Sequence, residues 1–166
     1  FTYTAEGRVS TLTYAGRTIT YTYDLTGTGD LLSVTMPATP DVPSGTTTTY
    51  VYDTKHNLTT ITDAKAQLYL TNIYDAVTDR VTSQSYGTGT STIVYGTDAS
   101  GNKTSDVTDR KGFRTLFTFD AAGHITKQEE FTDGNPLGEP FSYVTTYEYN
   151  AAGERTRVVP PRGNAT

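Results

Sequence analysis

Phe117-Thr118-Phe119-Asp120-Ala121-Ala122-Gly123-His124-Ile125-Thr126 is the stretch on which the fold turns. Its first three residues alternate aromatic and hydroxyl side chains, the period of a strand whose two faces differ. Asp120 followed by Gly123 fits a type I turn. Asp accepts a bond from a nearby backbone N–H, and glycine takes the left-handed position that closes the reversal. The chain then returns through Ile125-Thr126-Lys127, so a turn here sets Phe119 opposite Ile125.

The same signature recurs along nearly the whole chain. It reads Tyr3-Thr4-Ala5-Glu6-Gly7-Arg8-Val9, Tyr23-Asp24 running to Gly29-Asp30-Leu31, and Tyr52-Asp53-Thr54-Lys55-His56-Asn57-Leu58. Further copies are Tyr74-Asp75 running to Asp79-Arg80-Val81, Thr97-Asp98-Ala99-Ser100-Gly101-Asn102-Lys103, and Tyr149-Asn150-Ala151-Ala152-Gly153-Glu154-Arg155. The aromatic slots (3, 23, 52, 74, 97, 119, 149) are separated by 20, 29, 22, 23, 22 and 30 residues. A phased repeat of this kind specifies a row of supersecondary units, each a β-hairpin. The expected cross-strand pairs are Tyr3 with Val9, Tyr52 with Leu58 and Phe119 with Ile125. Lys103 and Arg155 fill the aliphatic slot in their copies, which marks those hairpins as less buried. His56 replaces the turn glycine in one copy, and His is among the residues that tolerate positive φ.

Composition agrees. The 166 residues contain 13 Tyr against 6 Phe and no Trp, with 34% hydrophobic residues, and threonine runs such as Thr46-Thr47-Thr48-Thr49. Thr, Tyr and Val suit pleated, half-buried strands. The expected fold is all-β: a row of antiparallel β-hairpin repeats in a curved, spiralling sheet. One segment spans 1–166, with Pro-rich insertions near 36–46 and 133–140, where proline cannot donate to a strand ladder. The chain starts at Phe1 rather than Met, which reads as a piece of a longer protein.

The formal net charge is −5, and the 13 Lys and Arg are scattered, with Arg110-Lys111 the one adjacent pair. Nucleic-acid affinity rests on clustered cations that neutralise phosphates, so that class is excluded. No apolar run approaches the ~20 residues of a membrane-spanning helix. Without cysteine, neither disulfides nor thiolate zinc sites are available.

The pattern Tyr-x-Tyr-Asp-x-x-Gly-x-Leu-Thr, nearly intact at Tyr50 to Thr59 and at Phe117 to Thr126, resembles the YD repeat of Rhs proteins. The same repeat occurs in toxin-complex, wall-associated and teneurin proteins. The resemblance covers about residues 1–159. It implies a sheet of hairpins winding into a hollow shell, which in bacterial relatives encloses a toxic C-terminal domain and in teneurins belongs to an adhesion protein. Seven repeats are too few to close such a shell, and the self-cleaving core motif of that family is not read here. Implied partners are neighbouring repeats or further copies joined through sheet edges, an enclosed toxin domain, or a glycan, in a secreted or cell-surface protein.

No catalytic, cofactor-binding or metal-ligating residue is assigned. Asp98 through Asp109 places oxygens at the spacing of a calcium loop, but Lys103 stands where that loop needs glycine and no helix pattern flanks it. Glu129 and Glu130, as neighbours on a strand, point to opposite faces and cannot cooperate as acid and base. His56 and His124 belong to hairpin turns. Ser85-Tyr86-Gly87-Thr88-Gly89-Thr90 reads as a loop. The rows of tyrosine read as cross-strand packing before sugar stacking.

Overall fold

A computed structural model describes residues 1–132 and 141–161. It divides the chain into two compact units, the first from Phe1 to Thr88 and the second from Gly89 onward. The described residues contain strands and turns and no helix. Consequently no helix among them is long and apolar enough to cross a membrane.

The first unit holds β1 (Thr2–Tyr3), β2 (Val9–Tyr14), β3 (Arg17–Tyr23), β4 (Leu31–Met36), β5 (Thr46–Tyr52), β6 (Leu58–Thr62), β7 (Leu68–Tyr74) and β8 (Val81–Tyr86). Each strand pairs antiparallel with the next in sequence. The second unit holds β9 (Gly89–Thr97), β10 (Lys103–Thr108), β11 (Arg114–Phe119), β12 (Ile125–Phe131), β13 (Ser142–Tyr149) and β14 (Arg155–Val159), paired in the same way. Sequential pairing through short turns keeps every contact local and leaves no crossover to close.

The register matches the sequence reading. Tyr3 faces Val9, Tyr52 faces Leu58, and Phe119 faces Ile125. In the remaining copies Tyr23 faces Leu31, Tyr74 faces Val81, Thr97 faces Lys103 and Tyr149 faces Arg155. Lys103 and Arg155 are exposed, as their charge requires. Met36 ends β4, and Thr39 and Val42 form a small reciprocal bridge (3.0 and 3.1 Å) before β5 begins at Thr46. The Pro-rich stretch 133–140 lies outside the described residues. Ser85 and Tyr86 belong to β8 and Gly89 to β9, which reduces the expected loop to a tight turn.

Alternation separates the two faces of the first unit. On β5, Thr46, Thr48, Tyr50 and Tyr52 are half-buried, while Thr47, Thr49 and Val51 are exposed. Following the register, Thr20, Thr35 and Thr47 form one transverse row, and Thr22, Ser33, Thr49 and Thr62 form another. Their hydroxyls bond across strands, Thr22 to Ser33 at 2.6 Å and Thr35 to Thr47 at 3.0 Å. In the second unit Arg114 grips Asp106 with both nitrogens (2.7–3.0 Å) and lies 4.1 Å from the Phe131 ring centroid.

The tyrosine face is not buried as the alternation implies. Among the described residues no hydrophobic side chain is fully buried, and Thr118 is the one buried polar residue. The physical reason is that each unit is a single layer. Domains bury a strand's apolar face against a second layer; alternation records which face is apolar but supplies nothing to cover it. Stability must therefore come from the ladder itself and from cross-strand pairs worth roughly 0.2–1 kcal/mol each.

Candidate functional site

The recurring structure is the junction between one hairpin and the next, and it is built from the turn outward. At Asp120 the backbone N–H donates to the His124 carbonyl (2.9 Å), and Gly123 N–H donates back to the Asp120 carbonyl (3.1 Å). The Asp120 carboxylate accepts the His124 backbone N–H at 2.8 Å. Asp53 and Asp98 do the same with Asn57 and Asn102, each at 2.9 Å. Asn150 substitutes its amide oxygen, accepting Glu154 N–H at 2.9 Å. A carboxylate that accepts such bonds is favoured in its charged form. The side chain and then the backbone of His124 hold Asp120 below the usual range; the hydroxyl of Thr26 does so for Asp24, the backbone of Asn57 for Asp53, the backbone of Thr78 for Asp75 and the side chain of Asn102 for Asp98.

Beside most of these turns the register slips by one residue, between Val51 and Tyr52, Ile73 and Tyr74, Thr118 and Phe119, and Glu148 and Tyr149. A bulge leaves one residue unpaired, and the repeat puts threonine there. Thr59, Thr82, Thr126 and Thr156 donate their hydroxyls to the carbonyls of Val51, Ile73, Thr118 and Glu148, at 3.0, 3.3, 3.3 and 3.2 Å. The threonine of the repeat thus satisfies a carbonyl at the slip.

The tyrosine links repeats. Tyr23 Oη donates to the carbonyl of Val9 (2.9 Å), Tyr74 Oη to that of Leu58 (2.9 Å) and Tyr149 Oη to that of Ile125 (3.0 Å). Each acceptor is the aliphatic residue of the preceding hairpin. Turns also meet turns along the same rim. His56 Nδ1 lies 3.0 Å from Asp30 Oδ2, and Lys55 Nζ donates to Asp79 Oδ1 (2.8 Å) and to the Ala76 carbonyl (2.7 Å). In the second unit the His124 ring stacks on Tyr149, with centroids 4.6 Å apart and planes 21° from parallel.

The residues weighed as chemical sites are kept apart by this architecture. Asp98 and Asp109 sit at turns on opposite ends of β10, so the residues between them run extended and do not wrap an ion. Among the described residues no group of three potential metal ligands converges. Glu129 pairs with Leu116 and Val144, whereas Glu130 pairs with Thr115 and Tyr143. The two acids therefore lie on opposite faces. Glu129 is engaged by Lys127 Nζ and Ser142 Oγ, both at 2.7 Å, and these hold its carboxyl below the usual range. His56 sits in its turn at φ 67°.

Two further Asp-led turns are not apparent in the sequence. Asp63 to Gln67 and Asp109 to Phe113 repeat the same bonding pattern, Asp63 N–H to Gln67 carbonyl at 2.9 Å and Asp109 N–H to Phe113 carbonyl at 2.8 Å. They lie at the opposite strand ends from the seven repeat turns. The first hides because Ala66, at φ 60°, stands where the signature has glycine. The second reads as a charged run, Asp109-Arg110-Lys111, unless Gly112 is counted from Asp109.

Compared with known families, residues 43–67 match the RHS Repeat. That window contains β5, the Asp53 turn, β6 and the Asp63 turn. No curated protein matches the chain.

Proposed function

We propose that this RHS-repeat protein supplies wall material to a larger hollow shell that encloses a polypeptide, such as a toxic domain of the same chain. The repeat is a structural one. The observation that carries the reading is the repeated junction: the same tyrosine-to-carbonyl bond joins successive hairpins at Tyr23, Tyr74 and Tyr149, while among the described residues neither unit buries a hydrophobic side chain. A single layer that grows by pairing each hairpin with the next can be lengthened without limit, and it becomes stable by being continued and covered. Enclosure follows from a hydrogen-bonded sheet that leaves little backbone accessible to proteases. The role requires no catalytic group, and a secreted or cell-surface setting suits a container of this kind.

The whole gene product tests the reading. Electron cryo-microscopy is expected to show a closed shell with density inside it, and limited proteolysis is expected to leave the enclosed segment intact. An open sheet, together with specific capture on a glycan array that is lost on changing surface tyrosines, would establish the adhesion reading instead.

A further inference from the structure

Tyr69 occupies a slot that the repeat gives to threonine. Asp63-Ala64-Lys65-Ala66-Gln67-Leu68-Tyr69 aligns residue for residue with Asp53-Thr54-Lys55-His56-Asn57-Leu58-Thr59, and both segments form the same turn. Both are followed by a register slip, here between Ile61 and Thr62, which leaves Tyr69 as the unpaired residue of the bulge. Bulges re-aim side chains. Thr59 is small enough to fold back onto the Val51 carbonyl, but a phenol at that slot reaches outward instead. It meets Tyr86 at the end of the neighbouring strand. The ring centroids are 4.5 Å apart at 66°, and the two hydroxyls are in contact. Both residues remain open to solvent, at 41% and 40% exposure.

We propose that Tyr69 and Tyr86 form an oxidative cross-linking site, coupled to a dityrosine by hydrogen peroxide and a peroxidase. Each phenol gives up one electron and one proton, and the two radicals join through ring carbons next to the hydroxyls. The hydrogens on those carbons then leave as protons, and the phenoxyl oxygens are reprotonated. One peroxide is reduced to two waters, so the protein loses two hydrogens overall. Contact between hydroxyls brings the adjacent ring carbons of the two residues to the same edge, as the new bond requires. The same contact pushes the Tyr69 phenol pKa above its usual range. Other tyrosines are placed differently. Tyr23, Tyr74 and Tyr149 direct their hydroxyls to carbonyls, and Tyr14, although 83% exposed, faces Arg17 across its strand pair. The bond would staple β7 to β8 at the rim opposite the repeat turns, adding a covalent link where no hydrophobic core holds the strands.

The intact chain is treated with hydrogen peroxide and peroxidase at low protein concentration and digested with trypsin. Cleavage after Lys65, Arg80 and Lys103 places Tyr69 and Tyr86 on separate peptides, 66–80 and 81–103. Mass spectrometry is expected to find these joined with the loss of two hydrogens and fragments locating the bond at Tyr69 and Tyr86. Y69F and Y86F each keep the ring and are expected to abolish the species, while Y74F and Y95F retain it. A link through Tyr74 or Tyr95, links between separate molecules only, or unlinked peptides under conditions that oxidise Tyr14 would each overturn the proposal.

Discussion

The hydroxyl of Tyr74 donates to the carbonyl of Leu58 at 2.9 Å, across β6 and β7 from one hairpin to the hairpin before it. Leu58 is itself the cross-strand partner of Tyr52. At this junction the aliphatic residue that closes one repeat is thus the acceptor for the aromatic of the next, as Val9 is for Tyr23 and Ile125 for Tyr149, a bond that phenylalanine in the same slot cannot make.

Removing that hydroxyl tests the link. Tyr74→Phe removes one of two donors to the half-buried Leu58 carbonyl, the Asn72 side-chain amide keeping the other at 3.0 Å, and is expected to cost about 0.5–1 kcal/mol, the usual worth of one such bond. Urea unfolding of the variant should show a lower midpoint with an unchanged slope. Phe119 gives the natural control, since a Phe119→Leu change removes ring packing but no hydroxyl.

Backbone handedness makes a paired test. Gly123 sits at φ 93° with open space where a Cβ would be, so Gly123→Ala meets only backbone strain and is expected to destabilise by about 1–2 kcal/mol. Ala66, at φ 60°, already carries that strain, and Ala66→Gly is expected to stabilise despite glycine's larger unfolded-state entropy. Thermal melts of the two variants should move in opposite directions.

Acid should unravel the turns. Asp24, Asp53, Asp75, Asp98 and Asp120 all have folded-state pKa values below their free values because hydroxyl, amide and ring donors favour the charged form. A depressed folded value means that stability is fully present above the free value, about 3.9 for Asp, and is lost as pH falls through the folded values. Circular dichroism against pH is expected to show a plateau at neutral pH and a cooperative loss only under acid. Asp120→Asn should keep the turn's acceptor, as Asn150 does naturally, and flatten that acid limb.

Calcium should do nothing. Asp98 is committed to Ser100 and Asn102, and Asp109 to Lys111 and Phe113, at opposite ends of β10. The melting temperature is expected to be the same with millimolar calcium and with a chelator. A rise with calcium would show that the strand rearranges to bind it.

Much of this architecture is legible in the sequence because the turns are chemically explicit. Asp or its stand-in Thr4 at the start and glycine or its stand-in His56 near the end fix the reversal, and once the reversal is fixed the pairs Tyr3–Val9, Tyr52–Leu58 and Phe119–Ile125 follow by counting. The turn at Asp63 was hidden because alanine bears the positive φ there, and local context rather than residue type imposes it. The roles of Thr59 and Thr126 were hidden for another reason. They depend on a one-residue slip in register that period-two reading cannot see. That no hydrophobic side chain is buried among the described residues is unreadable as well, since alternation names an apolar face without saying whether anything lies against it.

Nuclear Overhauser contacts around Leu58 test the central claim most directly. Tyr52 stands opposite Leu58, Thr59 is out of the pairing, and the Tyr74 hydroxyl reaches the Leu58 carbonyl from the following hairpin, so contacts from Leu58 to both tyrosines are expected. Contacts that place Tyr52 opposite Thr59, or a Tyr74 ring remote from Leu58, would contradict it.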